Sequence, residues 1–233
     1  MPAATTTGHA LLSLIALRPN WSTYELTVQV HRNLRLLWPR AESRIYDEAK
    51  TLVRKGFLHA RRQGNGRRPR TVYTISEAGR AELDNWLATP AEPIRLQSSA
   101  LLRVLFGRLS TTSQLLNAVD QIRKDADSLF ALGRLAGEEY LAGTATFQDD
   151  VAYRALVFDF LFHHAKMLQD WAHRAETTIA DWANHEADAG PAGIERIRGL
   201  LDQLPKPTNP TPQPLPPETD ALNGRPPQRP RPY

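Results

Sequence analysis

Residues 39–76 read PRAESRIYDEAKTLVRKGFLHARRQGNGRRPRTVYTIS, and this stretch decides the fold. Its first part has helical spacing. With Ile45 as reference and about 100° per residue, Ala49, Leu52 and Val53 share one side. Arg40, Ser43, Asp47 and Thr51 fall roughly opposite, with Arg44, Tyr46 and Lys50 on the flanks. Pro39 suits a first turn and Gly56 a C-terminal cap. Two strands follow, about Phe57–Arg62 and Arg70–Ile75. In the second, Tyr73 and Ile75 alternate with polar neighbours. Gly64-Asn65-Gly66 supplies the turn between the strands. From Ala49 to Ser76 there is no Asp or Glu, while Lys50, Arg54, Lys55, Arg61, Arg62, Arg67, Arg68 and Arg70 are present. A helix with one free face, followed by a strongly basic ribbon, is the layout of a winged helix-turn-helix. Its natural partner is the phosphate backbone of double-stranded DNA.

Upstream, apolar residues from Gly8 to Leu17 repeat at helical spacing, and Arg18-Pro19-Asn20 ends that helix. Ser22 and Glu25 form a capping box for the next, with Trp21 and Leu26 as a hydrophobic staple. That helix runs to about Leu34 or Leu36 and should bury Leu26, Val30 and Leu34. Downstream, Ser76 caps a helix to about Ala88, with Leu83, Trp86 and Leu87 on one side. Pro90 and Pro93 mark a boundary.

Beyond the boundary the pattern is helical throughout. A short helix is expected over about Ile94–Leu109. Thr111, Thr112 or Ser113 caps a long helix carrying Leu115, Val119, Ile122, Ala126 and Leu129. Gly143-Thr144 breaks it. A second long helix, about Asp149–Trp182, carries Val151, Ala155, Phe158, Phe162 and Ala165, then Leu168, Ala172, Ala175, Ile179 and Trp182. This is a coiled-coil-like seam. Phe158, Phe160, Leu161 and Phe162 widen it beyond what one antiparallel pair needs to bury. The surplus reads as a homodimer interface at Val151, Ala155, Phe158, Phe162 and Ala165; an intrachain three-helix core is the alternative. A last short helix is expected over 191–204. Residues 205–233 hold eleven prolines and read as a disordered or polyproline tail. The fold class is therefore mainly α with a small two-stranded β wing. A winged helix-turn-helix domain (1–90) precedes an all-α dimerisation domain (91–188), then a short helix and Pro-rich tail (189–233).

Charge follows the same division. Residues 1–90 carry 14 Lys/Arg against 7 Asp/Glu, and residues 91–188 carry 9 against 14. A basic first part and an acidic second part fit one module that touches a polyanion and another that does not. There is no cysteine, which removes disulfides and thiolate metal sites. The longest early apolar run, Leu11–Leu17, is too short to span a bilayer and has no basic residue before it. A cytoplasmic, nucleoid-associated protein with no membrane contact is expected.

Each element then receives a role. The recognition helix would place Arg40, Ser43, Arg44 and Asp47 at base edges, with Tyr46 and Lys50 reaching phosphate. Core packing is an equal reading of Tyr46. Arg61, Arg62, Arg67, Arg68 and Arg70 would grip phosphates or the minor groove from the wing. Ser22, Thr23 and Tyr24 open the preceding helix, whose amides favour phosphate. An enzyme would need features that are missing. No Ser sits in a strand-to-helix elbow, and Gly64-Asn65-Gly66 lacks a phosphate-loop continuation. His163, His164, His173 and His185 lie in the helical half. Asp159 with His163 and Asp170 with Arg174 are helix-face pairs at i,i+4. No catalytic residue, metal or cofactor is assigned. Tyr153 and Trp171, beside the Phe158–Phe162 group, could line an effector pocket; ordinary packing is the simpler reading.

The ordered set of motifs resembles the PadR-like transcriptional regulators. It comprises Tyr24-Glu25-Leu26, Ser43-Arg44-Ile45-Tyr46, Leu52, Gly56-Phe57-Leu58, and Arg70 through Arg80 (RTVYTISEAGR), then Leu83 and Trp86-Leu87. Leu101-Leu102-Arg103-Val104-Leu105-Phe106-Gly107 looks like the start of the larger helical C-terminal region of one subfamily. The resemblance covers about residues 8–183. It implies a homodimer built largely by C-terminal helices, operator binding by two winged helices, and usually repression, with small-molecule release in some members. Asn20-Trp21-Ser22 stands where a Gly often occurs, Ser76 where Thr is usual, and the tail lies outside the pattern. A sequence-tolerant DNA-architectural protein and a helical protein-interaction module are the alternatives.

Overall fold

The computed structural model describes residues 3–18, 20–34, 36–38, 40–63, 70–182 and 189–205, with the backbone alone at 40–44 and 189. The wing tip with Arg67 and Arg68, His185, and the tail from 206 lie outside the described residues. The chain divides into two compact units, Met1–Arg95 and Leu96–Tyr233.

The first unit runs α1 (Thr6–Leu17), β1 (Trp21–Ser22), α2 (Thr23–Asn33), α3 (Arg40–Arg54), β2 (Leu58–Gln63), β3 (Arg70–Ile75), α4 (Glu77–Ala88). Thr5 starts α1, its hydroxyl accepting from the Gly8 amide. Asn20 follows with φ +66°, a left-handed conformation that Asn tolerates better than branched residues do. Asn20 can therefore stand where a glycine would otherwise be needed. At the start of α2 the Ser22 hydroxyl accepts from the Glu25 amide (3.2 Å), and the Glu25 carboxylate accepts from the Ser22 amide (2.8 Å). Both orphan donors of the helix start are thereby satisfied.

Three strands form the sheet, not two: the order is β1-β3-β2, all antiparallel, with Trp21 opposite Tyr73 and Leu58 opposite Ile75. The added two-residue strand makes β3 central. Val72 and Tyr73 are consequently both buried, while Ile75 is half-buried, so the expected alternation is not kept. The core gathers Leu11, Leu12, Ile15, Trp21, Leu26, Val30, Ile45, Leu52 and Leu58. Trp21 donates its indole N–H to the Leu14 carbonyl at 2.9 Å. Leu34 is half-buried, since α2 ends before it. Leu87 points outward, because the buried side of α4 runs through Gly79 and Leu83.

The second unit runs α5 (Ser99–Leu105), α6 (Thr112–Leu141), α7 (Val151–Ala180) and α8 (Ala189–Leu201), with single 3-10 turns at Gly107–Leu109 and Gln148–Asp150. The helix expected from Ile94 begins only at Ser99, capped by the Ser98 hydroxyl on the Leu101 amide; residues 94–98 are irregular. Thr111 caps α6, and Gln114 completes a capping box. Helices α6 and α7 are antiparallel, as the pairings Phe130–Phe162 and Arg123–Glu176 require. Ala100 of α5, Leu115, Val119 and Ile122 of α6, and Ala172 and Ile179 of α7 make one core cluster. None of the described helices is long and apolar enough to cross a membrane.

Candidate nucleic-acid interface

Helix α3 is strongly two-sided. Ile45, Ala49 and Leu52 are fully buried, and α3 packs on α1 and α2. The opposite side is open. Asp47 and Lys50 are exposed and lie 3.9 Å apart, a weak surface pair that a polyanion could displace. Tyr46 is 56% exposed, which removes the core-packing reading of this residue. Arg40, Ser43 and Arg44 stand in the first turns of α3, but their side chains are outside the described set. At about 100° per residue, Arg40, Ser43, Asp47, Lys50 and Arg54 lie within one strip. Arg54 is exposed, its guanidinium donating to the Thr51 hydroxyl. In the sequence Arg54 stands out only as a member of the basic run, with no site of its own; the same helical wheel places it on this strip.

The ribbon adds a second basic surface. Arg61, Arg62 and Gln63 are exposed along β2, and Arg70 is exposed at the start of β3. Gln63 and Arg70 face each other in register, with an Arg70 guanidinium N–H 3.5 Å from the Gln63 side-chain oxygen. The described base of the wing thus collects Arg61, Arg62 and Arg70. Residues 22–24 divide. Ser22 is buried and its hydroxyl is engaged at the cap, so that side chain is unavailable to a phosphate. Thr23 is half-buried, while Tyr24 is 76% exposed at the first turn of α2. Hydrogen bonds from Ser22 hold the Glu25 carboxyl below its ordinary range, and Arg70 and Arg18 add to the effect. One carboxylate is therefore kept charged close to the basic ribbon.

Behind α3 lies a brace at the chain's start. Lys55 donates to the Ala3 carbonyl (2.7 Å) and Thr5 donates to the Glu48 carboxylate (2.7 Å). The Glu82 carboxylate accepts the Ala4 amide (2.7 Å) and sits 2.9 Å from His9 Nε2. His9 is buried and stacked on Trp86 at 5.0 Å. The Ala4 amide, and after it the contact with His9, lowers the Glu82 pKa against the opposing effect of burial. Residues 3–5 tie α3 to α4.

In the second unit the seam residues meet their own chain only in part, Phe158 and Phe162 staying 44% and 47% exposed. The Phe158 ring lies against Gly133 and Gly137 of α6, Phe162 meets Phe130 edge-on, and Ala165 is buried. Val151 and Ala155 are exposed. The larger apolar surface lies on another side of α7, through Tyr153, Leu156, Val157, Phe160 and Met167. Tyr153 and Trp171 are not brought together. They stand eighteen residues apart on one helix, about 27 Å, and Trp171 packs on the α5–α6–α7 cluster. Asp159 does pair with His163 (3.4 Å), but Asp170 pairs with Lys166 (2.6 Å), not with Arg174. Among the described residues no group of His, Asp and Glu could hold a metal ion.

A three-helix core, a recognition-type helix exposed on one side and a basic β ribbon define a winged-helix protein. Residues 11–85 match the model of the transcriptional regulator PadR-like family. Over these residues the chain is similar to that family. It is 32% identical over 88 residues to a probable transcriptional regulator of Mycobacterium tuberculosis, Rv1176c. It is 31% identical over 80 residues to the negative transcriptional regulator PadR of Bacillus subtilis. These matches cover 37% and 34% of this chain, and 46% and 43% of the relatives. The crystal structure of Bacillus subtilis PadR with operator DNA is similar in fold at 20% identity and TM-score 0.62. That likeness covers 75% of this chain and 99% of that one. The same protein in complex with p-coumaric acid gives 22% identity and TM-score 0.58, over 76% and 100%.

Proposed function

We propose that this protein is a sequence-specific DNA-binding transcriptional regulator, acting as a homodimeric repressor on a palindromic operator. The observation that carries the reading is the junction of α3 and the ribbon. A helix with a buried apolar side and an open polar side runs directly into an acid-free basic hairpin. In this reading the first turns of α3 enter the major groove. Arg40, Ser43, Arg44 and Asp47 meet base edges, and Tyr46, Lys50 and Arg54 meet phosphates. Arg61, Arg62 and Arg70, with Arg67 and Arg68 of the wing tip, bind the backbone or the adjacent minor groove. Tyr24 and the first amides of α2 would hold a further phosphate. Repression is supported by the name of the Bacillus subtilis relative, a negative transcriptional regulator, and DNA binding by its crystal structure with operator DNA.

Control by a small molecule is part of the proposal, on the precedent of the p-coumaric acid complex of that relative. Tyr153 and Trp171 are too far apart in one chain to be two walls of one pocket. In the homodimer reading the pocket lies at the dimer interface, where the second copy supplies the facing wall. Residues 1–90 and 91–188 act in this reading as the DNA-binding and dimerisation parts of a cytoplasmic protein.

The test is binding to genomic fragments with footprinting of the retained sites, repeated over a salt series. A symmetric footprint is expected. Replacing Arg61, Arg62 and Arg70 by Ala should lower the log–log salt slope by about 0.9 for each phosphate no longer neutralised, at every site alike. A triple variant with unchanged affinity and slope would remove the wing from the interface. An asymmetric, sequence-indifferent footprint would favour a DNA-architectural protein instead.

A further inference from the structure

Two apolar stripes in the second unit have no cover among its described residues. One is the outer side of the N-terminal half of α7, where Leu156 is 72% exposed, with Tyr153, Val157, Phe160 and Met167 beside it. Toward the C-terminal end the same side of α7 continues through Trp171, Ala175 and Trp182, and there α5 and its neighbours cover it. Helix α5 is only seven residues long, about 10 Å, so it covers one end alone. The other stripe is on α8. Ile194, Ile197, Leu201 and Leu204 recur at spacings of three and four, with Leu200 alongside, and each is more than half exposed.

The two stripes cannot meet within one chain. Arg196 in the middle of α8 donates to the Thr178 hydroxyl of α7 at 2.9 Å. From Thr178 back to Phe160 is eighteen residues, and to Leu156 twenty-two, so about 27 and 33 Å along the helix. From Arg196 to Leu204 the chain extends only about 12 Å. A helix held at Thr178 falls short of Phe160 in its own subunit. A second copy removes the shortfall. Helix α7 has thirty residues, and a twofold axis through its middle sets Thr178 of one copy opposite Tyr153 of the other. The arm anchored at Thr178 then lies beside Leu156 and Phe160 of the partner subunit.

We propose that α8 is a dimer arm, its apolar stripe covering the Tyr153–Phe160 side of α7 in a second copy of this chain, with the exchange made twice. The inference rests on the homodimer reading above and adds the element and the surface that build it. Area is sufficient. A large side chain presents on the order of 200 Å² when fully open. Ten such residues, 40% to 75% open, offer on the order of 1,000 Å² per chain and twice that per reciprocal contact. Stable interfaces bury about 1,200–2,000 Å² in total.

Because the chain has no cysteine, designed thiols report the contact cleanly. Full-length chains carrying Ile194→Cys, Ile197→Cys or Leu201→Cys are mixed with differently tagged chains carrying Leu156→Cys or Phe160→Cys, then mildly oxidised. At least one pairing should give roughly tenfold more disulfide-linked heterodimer than the same arm variants mixed with Asp127→Cys on α6, since the bond needs Cβ atoms about 4 Å apart. Sedimentation equilibrium of the unmodified protein is run in parallel. A dimer that shows no heterologous link in any pairing overturns the arm and leaves the homodimer standing. A monomer at tens of micromolar overturns both.

Discussion

At the scale of single residues, the start of the chain does more than its composition suggests. Glu82 accepts the Ala4 amide and sits against His9, while Lys55 and Thr5 fasten the same segment to the end of α3. The Glu82 pKa is depressed by the Ala4 hydrogen bond and by His9. Its stabilising contribution is therefore complete above the pKa of an ordinary carboxylate, and is lost as pH falls through the depressed folded value. Glu82→Gln should flatten that acid limb and cost about 1–2 kcal/mol near neutral pH, as expected for a charge-assisted hydrogen bond. Chemical denaturation at a series of pH values checks this; two parallel stability curves would show that the carboxylate is not the group being titrated. None of this was legible in residues 1–6, because each partner is at least forty residues away in sequence.

At the scale of elements, the joint between α3, the ribbon and α4 has little room to spare. Gly56 ends α3 with φ +75°, as its place in the pattern predicts. The Phe57 carbonyl then accepts the Ser76 amide at 3.0 Å, and the Ser76 hydroxyl caps α4 on the Gly79 amide. A Cβ at Gly79 would sit 2.2 Å from the Phe57 carbonyl oxygen, and backbone cannot yield as a flexible side chain can. Gly79→Ala should therefore destabilise by about 1–3 kcal/mol, the usual cost of overpacking, in spite of alanine's better helix propensity. A thermal melt unchanged or raised by this variant would contradict the close approach. The capping boxes at Ser22 and Thr111 were readable beforehand, since they depend on residues three apart. Strand β1 was not, because a two-residue strand has no period of its own and exists only through Tyr73 and Val72 opposite it.

At the scale of the whole molecule, function in the proposed reading depends on pairing two winged units. Binding both half-sites at once makes the second event intramolecular, which raises avidity by about 10²–10⁴-fold without a new contact. Phe160→Glu, placing a charge on the open side of α7, should shift the protein toward monomer in sedimentation. It should weaken full-site binding by at least about 100-fold while leaving half-site binding unchanged. Equal losses on half and full sites would mean that the substitution damages the first unit and not the pairing. The heptad pattern announced that α6 and α7 pair and that apolar surface is left over. It did not tell which side of α7 α6 would take.

The sequence by itself determined the identity and order of most elements, the two-sided nature of α3, the basic ribbon and the caps. All of these follow from interactions within a few residues or from one period. Tertiary structure alone decided the central position of β3, the bracing of α3 by residues 3–5, the burial of Ser22 and the exposure of Tyr46. It also set Phe158, Phe162 and Ala165 against α6 and left Leu156 and Phe160 open. The physical reason is common to these cases. Periodicity shows that a helix or strand has an apolar side, but which neighbour covers that side depends on packing among segments distant in sequence.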